Sequence, residues 1–436
     1  MNASTLGLPS QLRALLLRDG LLSARALQTA TGKSQPSISM ALAALGDEVH
    51  KLGAARSTRY ALAQSILGLP ARQSIRLDGP HPDQGTFGSL TMLHGNRVHV
   101  RGPRQQQWLA DAALPWWLSP LQAQGFLGRQ FARLRPDFSP DPEHWSLLQT
   151  LYMAANHLSD PPGAFSLGAA NLQTGSHDTL AANDGVGFDR LAERASDALP
   201  AGSSAGGEQP KFIARVDGLP VIVKFTPPRG TPFGERWHDL LHLEHLALEV
   251  LQEHGVASAQ TTLVHTPRRT YLLSLRFDRI GATGKRHVVA ASALHDTFVR
   301  GSRRHWVASA QSLCTQGMLT HTQVRTIASI YLFGQYIGNT DMHFGNLSFF
   351  VDDVSRPILV PTPVYDMLPM LWRPGVHGGE LDAGPVQPML QPAGFEAQAA
   401  QARAWATTYW QRAAGLPALS AGLRASSAMN ADRLRQ

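Results

Sequence analysis

Apolar positions near the start of the chain recur at helical spacing, and further on they alternate. Leu8–Leu17 follows the three-to-four rhythm of a helix with one buried face. Ser23–Thr31 predicts a second helix with Ser23 as its N-cap, and Gly32–Lys33 makes the turn that follows. Ser34 caps a third helix with Pro36 in its first turn, and Ile38, Leu42 and Leu45 face inward. Val49–Leu62 then changes period and reads as a hairpin whose tip carries Lys51, Arg56 and Arg59.

Beyond a Gly-, Pro- and Asp-rich loop at Asp78–Gly85, residues 86–102 predict short strands, with Arg97–Arg101 following a Gly95–Asn96 turn. Residues 105–160 mix aromatic helical stretches with Pro-rich turns, and a polar loop spans Ser176–Asp184. Ser203 to Val264 reads as Gly-rich loop, strand, helix and strand. After Leu294 the pattern is mainly helical, broken by two loops that carry motifs. No internal repeat is visible. The expected class is α+β: a mixed lobe followed by a mostly helical lobe, behind a small helical N-terminal unit. The expected divisions are residues 1–65, 66–275 and 276–436.

Composition narrows the classes. The 436 residues are 43% hydrophobic and 16% charged, enough for two or three domains with sizeable cores. A net charge of +7 favours polyanionic partners such as nucleic acid or nucleotides. The single cysteine, Cys314, excludes an intramolecular disulfide and a cysteine-based zinc cluster, which fits a reducing cytosol; Cys314 itself reads as a small core residue. The N-terminus does not read as a signal peptide, and no apolar run reaches the roughly 18 residues of a membrane span. A soluble cytoplasmic protein is expected.

The first chemistry lies at the N-terminus. Gln35, Ser37 and Ser39 sit near the start of the third helix, the end with which a recognition helix reads base edges in the major groove. Lys51, Arg56 and Arg59 supply the mobile cations that phosphate contact requires. Residues 1–62 hold seven Lys/Arg against three Asp/Glu. A winged helix-turn-helix that binds DNA is expected for residues 1–65; a protein–protein module is the alternative.

Five further features occur in the order that phosphoryl transfer requires. Ser203-Ser204-Ala205-Gly206-Gly207-Glu208-Gln209-Pro210-Lys211 holds paired glycines, whose backbone amides can approach phosphate oxygens where a Cβ would obstruct. Lys224 rides on the β-branched run Leu219–Phe225, a suitable mount for an ammonium against phosphates. Glu244, 20 residues later on a predicted helix Trp237–Glu253, could orient that lysine, although Asp239, Glu249 and Glu253 share the helix. The apolar strand from Tyr271 into Leu275, Arg276 and Phe277 could link two lobes and offer backbone groups to adenine. Strongest is Gly338-Asn339-Thr340-Asp341-Met342-His343-Phe344-Gly345-Asn346, followed by Val364-Tyr365-Asp366-Met367. Asp341 and Asn346 are five apart, the spacing of a catalytic aspartate and a metal-binding asparagine in a protein-kinase loop, and Asp366 lies where a second magnesium-binding carboxylate belongs. Asp341 with His343 as transition-metal ligands would need partners that the neighbourhood does not offer.

On these residues the chain resembles the HipA family, the kinase toxins of HipA/HipB-type toxin–antitoxin systems, and its architecture is similar to the YjjJ subgroup. The resemblance spans roughly residues 85–425 and is strongest from Ser203 to Leu368; the run IGNTDMHFGN followed by YDMLP is specific to the family. It implies a two-lobed HipA-like protein kinase fold that uses ATP and Mg2+. It places Ser204, with Ser203 as the fallback, on an autophosphorylated loop serine. It places Gly206, Gly207, Glu208 and Lys211 on the phosphate-contacting loop and Lys224 on the ATP lysine. Leu275, Arg276 and Phe277 fall on the adenine-contacting segment. Asp341 falls on the catalytic aspartate, and His343, Phe344, Gly345, Asn346, Tyr365 and Asp366 fall on nucleotide and metal positions.

The expected function is therefore a serine/threonine protein kinase toxin that acts on the translation machinery, for which the resemblance implies aminoacyl-tRNA synthetases as the substrate class. A HipB-like antitoxin and DNA are the other implied partners, although the winged helix in the same chain removes one reason for a separate antitoxin. The competing reading is a transcription regulator whose kinase-like domain binds a ligand without transferring phosphate; the joint presence of Lys224, Asp341, Asn346 and Asp366 argues against it. A small-molecule kinase is a third reading.

Overall fold

A computed structural model describes residues 7–79, 85–158, 160–168, 178–197, 209–281, 284–374, 385–387 and 392–436. The α+β chain divides into two compact units. One comprises Met1–Ala123, Asp137–Pro161 and Phe165–Thr174; the other comprises Gln124–Pro136, Pro162–Ala164 and Gly175–Gln436.

The first unit opens with α1 (Leu8–Asp19), β1 (Leu22–Ser23), α2 (Ala24–Thr31), α3 (Gln35–Ala44), β2 (Val49–Leu52) and β3 (Arg59–Leu62). The caps read from sequence are formed. Ser23 Oγ accepts from the Ala26 amide at 3.2 Å and Ser34 Oγ from the Ser37 amide at 3.5 Å, satisfying donors that a helix start leaves open. Leu12, Leu16, Leu27, Ile38, Leu42 and Leu62 close one core under the three helices. The strands pair in the order β1-β3-β2. The hairpin differs from expectation in one respect. Lys51 and Arg59 lie within its strands, and only Arg56 lies in the connecting turn, a short 3-10 segment at Ala55–Ser57. All three side chains are exposed.

A second sheet follows in the same unit: β4 (Arg72–Leu77), β5 (Thr86–Leu93), β6 (Arg97–Arg101) and β7 (Gln107–Asp111). After α4 (Gly125–Ala132), which belongs to the other unit, come α5 (Leu147–Asn156) and β8 (Phe165–Leu167). The strand order is β7-β6-β5-β4-β8, and every pairing is antiparallel. Phe87, Trp108, Trp117 and Phe165 form an aromatic cluster on this sheet, with ring centroids 4.7–6.3 Å apart.

The hairpin and this sheet are sewn together. Leu52, Ala61 and Leu93 share a small core, Ala63 bridges to Leu93, and the Gln64 and His94 amides donate to the Met92 and Leu62 carbonyls at 2.9 Å each. His50 Nε2 meets His99 Nδ1 at 2.8 Å. Gln107 Oε1 bonds both His99 Nε2, at 3.1 Å, and the Gly53 amide, at 3.0 Å.

The second unit contains β9 (Thr179–Leu180), α6 (Gly185–Ser196), β10 (Lys211–Val216), β11 (Leu219–Phe225), α7 (Pro232–Glu253), β12 (Thr261–His265) and β13 (Thr270–Leu275). The sheet order is β12-β13-β11-β10-β9, with only β9 and β10 parallel. Phe188, Leu191, Phe212, Val223, Phe225 and Tyr271 lie in its core. Thr231 caps α7 and Pro232 begins it, a local signal that starts the helix five residues before the Trp237 read from apolar periodicity.

The chain continues through β14 (Arg279–Ile280), β15 (Gly284–Lys285), β16 (Val288–Ala290), α8 (Ala291–Phe298), α9 (Trp306–Thr315), α10 (His321–Tyr336), β17 (Ser348–Val351), β18 (Leu359–Pro361), α11 (Glu396–Ala414) and α12 (Ala421–Arg435). This mainly helical part is tied to the sheet part through α7. The Asp239 carboxylate on α7 accepts from the Ser420 amide at 2.9 Å and from its hydroxyl at 2.6 Å, just before α12. Cys314 departs from its expected core position. It is half-buried at the end of α9, with Sγ 3.7 Å from His321 Nδ1. Among the described residues no helix is long and apolar enough to cross a membrane.

Candidate active site

Lys224 is buried on β11, whose side chains alternate between the sheet's two faces, and the ammonium sits between two carboxylates. Glu244 Oε1, from the middle of α7, lies 2.5 Å from Lys224 Nζ, and Asp366 Oδ1 contacts the same nitrogen. Of the acids on α7 noted in the sequence, Glu244 is the one whose helical phase points it at β11. Burial works against the lysine's charge, but Asp366 and Glu244 outweigh it and hold the ammonium above the ordinary lysine range. Burial likewise opposes ionisation of Asp366; Lys224, Lys211 and His343 overcome it and bring that carboxyl down to about 2. For Glu244 burial prevails and its carboxyl is raised. Its Oε2 has no hydrogen-bond partner in the structure.

Lys211 begins β10 directly across from Lys224 in the strand register, and its charge reaches both Glu244 and Asp366. Ser203, Ser204, Gly206, Gly207 and Glu208 of the glycine-rich segment lie outside the described residues.

The motif loop after α10 is held by its own side chains. Asn346 Nδ2 donates to the Asp341 carbonyl at 2.8 Å, which fixes the five-residue spacing as one turn of loop. Asn339, buried, accepts from the Asp341 amide at 3.0 Å through Oδ1 and donates to the Asp366 carbonyl at 3.3 Å through Nδ2. Asp366 has φ 52°, a left-handed backbone that few residues other than glycine adopt without strain. The Tyr365 hydroxyl donates to the Gly345 carbonyl at 2.7 Å and meets Ser348 Oγ at 2.6 Å, so the Asp366 segment is fastened to the loop on that side too. His343 is exposed, and its Nδ1 accepts from the Gly345 amide at 3.0 Å. Phe344 is buried against His295, with centroids 5.2 Å apart.

The segment expected to meet a purine is tied into the surrounding fold. The Leu275 and Arg276 amides donate to the Gln260 and Pro220 carbonyls at 2.9 and 3.0 Å, so neither is open to a base. The Arg276 guanidinium is buried and paired with Asp278 at 3.1 Å. Asp278 also accepts from the Gly163 amide at 2.9 Å and from Arg279 at 2.7 Å. The Arg276 side chain is thus held in a buried ion-pair network. Phe277 packs against Tyr365 and Phe350, at 5.7 and 6.0 Å between centroids.

A family model described as the HipA-like C-terminal domain matches residues 203–428, and one described as the YjjJ-like toxin, middle domain, matches residues 79–175. A curated relative, Toxin YjjJ of Escherichia coli (strain K12), is 33% identical over 98% of this chain and 98% of its own. The chain belongs to the HipA-like family, in its YjjJ-like branch. Its fold is the HipA-like kinase fold. The toxin HipA in a Shewanella oneidensis MR-1 complex with HipB and operator DNA superposes with a TM-score of 0.56 at 17% identity, covering 83% of this chain and 95% of that one.

Two residues of this HipA-like site were not given roles from sequence. Asn339 stands inside the quoted motif, but the second of its two hydrogen bonds, to Asp366, depends on a contact 27 residues away. Asp278 follows Phe277 and carries no local signal of its burial. In the N-terminal unit Gln35 and Ser39 are exposed on the first turns of α3, whereas Ser37 is half-buried with its hydroxyl 2.9 Å from that of the capping Ser34.

Proposed function

We propose that this HipA-like protein is an ATP- and magnesium-dependent serine/threonine protein kinase acting as a toxin. The single observation that carries the reading is the buried Lys224 ammonium between Glu244 and Asp366, with Asp341 and Asn346 on the adjoining loop. A lysine so placed offers fixed positive charge to phosphate oxygens, and Glu244 keeps it aimed. Asp341 would orient the incoming hydroxyl and take its proton. Phosphoryl transfer asks mainly for such positioning and charge stabilisation.

The donor set fits magnesium. Asp366 supplies an ionised carboxylate, and Asn346, whose Nδ2 is committed to the Asp341 carbonyl, presents Oδ1 as a hard oxygen. When bound, the ion would neutralise charge on the phosphates. Asn339 and Tyr365 keep those two ligands in register with Asp341.

The reading extends to substrate, partners and control. A protein of the translation machinery is the proposed substrate class, with aminoacyl-tRNA synthetases as its first members to test. Ser204, or Ser203, is the proposed site of autophosphorylation, because nearly two added negative charges beside a phosphate-binding loop oppose nucleotide. Residues 1–65 are proposed as a winged helix that binds DNA, supported by the capped α3, its exposed Gln35 and the exposed cations of the hairpin. The Shewanella complex, which holds HipB and operator DNA, makes an antitoxin the further partner to seek. The assay is transfer of radiolabelled phosphate from ATP to protein in a cell extract. The expected result is labelled protein with the natural sequence and none with Asp341→Ala; equal labelling by both overturns the kinase reading. Label that appears only in small metabolites overturns the protein-substrate part.

A further inference from the structure

Away from the Lys224 site, three histidines converge where α7 meets the β12–β13 hairpin. His238 and His242 are one helical turn apart on α7, and His265 ends β12; one ring nitrogen of each lies within 4.8 Å of the others. His242 and His265 are stacked, with centroids 5.1 Å apart and planes 10° from parallel, and His238 stands edge-on to His242 at 4.6 Å. His242 is 7% exposed, yet its Nε2 has no hydrogen-bond partner. A buried ring nitrogen left unpaired is costly, and native proteins rarely keep one without a role.

The surroundings have the form of an outer shell. The Thr270 hydroxyl faces both His238 Nδ1, at 2.5 Å, and His265 Nδ1, at 3.3 Å. In the tautomer in which that hydroxyl oxygen accepts from both Nδ1–H groups, both Nε2 atoms keep the lone pairs a metal requires. His238 Nε2 is 3.3 Å from the Ala418 carbonyl, to which it can only donate, so binding a metal through Nε2 requires that long bond to break and the ring to take the Nδ1–H tautomer. Burial first, then the neighbouring imidazoles, push His242 down to about 3, and burial also lowers His238 and His265, which favours the neutral form. The nearby Arg229 guanidinium is paired with Glu235 at 3.3 Å, which limits its repulsion of a cation.

We propose that His238, His242 and His265 form a binding site for a divalent transition-metal ion of the zinc class, which clamps α7 to the β12–β13 hairpin. Three imidazoles suit zinc, with the fourth position left to solvent. Zinc–nitrogen bonds of about 2.0–2.1 Å place tetrahedral ligand atoms about 3.3 Å apart, so the rings must close in. His265, exposed at a strand end, is the one able to swing. Since Glu244 follows His242 by two residues on the same helix, the ion would also brace the helix that aims Lys224.

The test uses the full-length, tag-free protein, stripped with a chelator and titrated with Co2+ as a visible probe. One equivalent should give a tetrahedral d–d band that Zn2+ abolishes. His242→Ala and His265→Gln should lose the band. His245→Ala, a neighbour bonded instead to Thr261 and close to Glu249, should keep it. Thr270→Val should weaken Co2+ binding by about 10- to 100-fold, as loss of an outer-shell partner does. Should His242→Ala fold poorly, the exposed His265→Gln decides, together with the Zn2+-dependent rise in melting temperature expected for the natural sequence and lost in that variant. No band with the natural sequence, or a band unchanged in His265→Gln, overturns the site.

Discussion

Asn339 donates from Nδ2 to the backbone carbonyl of Asp366 at 3.3 Å, joining the loop that carries Asp341 to the residue that pairs with Lys224. The other end of the same amide accepts from the Asp341 backbone at 3.0 Å. One buried side chain therefore sets the distance between the proposed proton acceptor and the proposed metal carboxylate. Its partner Asp366 has a left-handed backbone.

Asn339→Ala should remove both bonds, lower phosphate incorporation and cost about 1–3 kcal/mol of stability, the usual price of buried polar groups left unpaired. Asn339→Asp keeps an acceptor for the Asp341 amide and loses the donor to Asp366, so it should fall between the two. Labelling assays with urea unfolding of the same samples separate the effects. Activity unchanged in Asn339→Ala would show that the tether does not position the site.

Asp341→Ala and Asp366→Ala should each abolish phosphoryl transfer while circular dichroism stays unchanged. Loss of a general base alone is worth about 10²–10⁴-fold. Glu244→Gln should act more mildly, because Asp366 still pairs the lysine, and should raise KM for ATP more than it lowers kcat. A Glu244→Gln enzyme with natural KM would mean that the helix does not aim Lys224.

Full-length protein should bind duplex DNA with strong salt dependence. Each of Lys51, Arg56 and Arg59 that touches phosphate should, when neutralised, reduce the slope of log affinity against log salt by about 1. Gln35→Ala should instead change sequence preference at constant slope, since base edges carry specificity. Filter binding across a salt series checks both, and no retention at low salt would leave the protein–protein reading of these helices.

Stability should fall in mild acid because of His50. Burial chiefly, then the charges of His99, Arg101 and Arg72, push its ring from the ordinary 6.5 down to about 4. Between those two values the unfolded chain binds the proton and the folded chain does not. The contribution is complete above about pH 6.5, declines as the pH falls and levels off near pH 4. His50→Asn should flatten the difference, read as the urea midpoint across that range; an unchanged slope would count against buried His50 as its source.

Much of this architecture is legible from local chemistry. Ser23 and Ser34 announce their helices because a cap is satisfied within three residues. The β-branched run around Lys224 gives β11 with the bounds read from sequence, since alternation is a property of adjacent residues. Asp341, Asn346 and Asp366 stand out through spacing. What stays hidden depends on distant partners. Glu244 differs from the other acids of its helix only in the phase that meets β11. The pairing of Arg276 with Asp278, which in turn accepts from the Gly163 amide, depends on a residue 115 positions away. His238 and His242 show helical spacing, but His265 joins them only through the packing of a hairpin.

The seam between the first hairpin and the second sheet has a mechanical meaning. Backbone bonds from Gln64 to Met92 and from His94 to Leu62, with Leu52 and Ala61 closed over Leu93, leave no swivel between them. A load on Arg56 passes down β2 and β3 into β5 and β6 as through a single beam. Cutting the chain near residue 65 would expose the underside of that beam, so the N-terminal helices are better studied with the sheet they lean on than as a fragment.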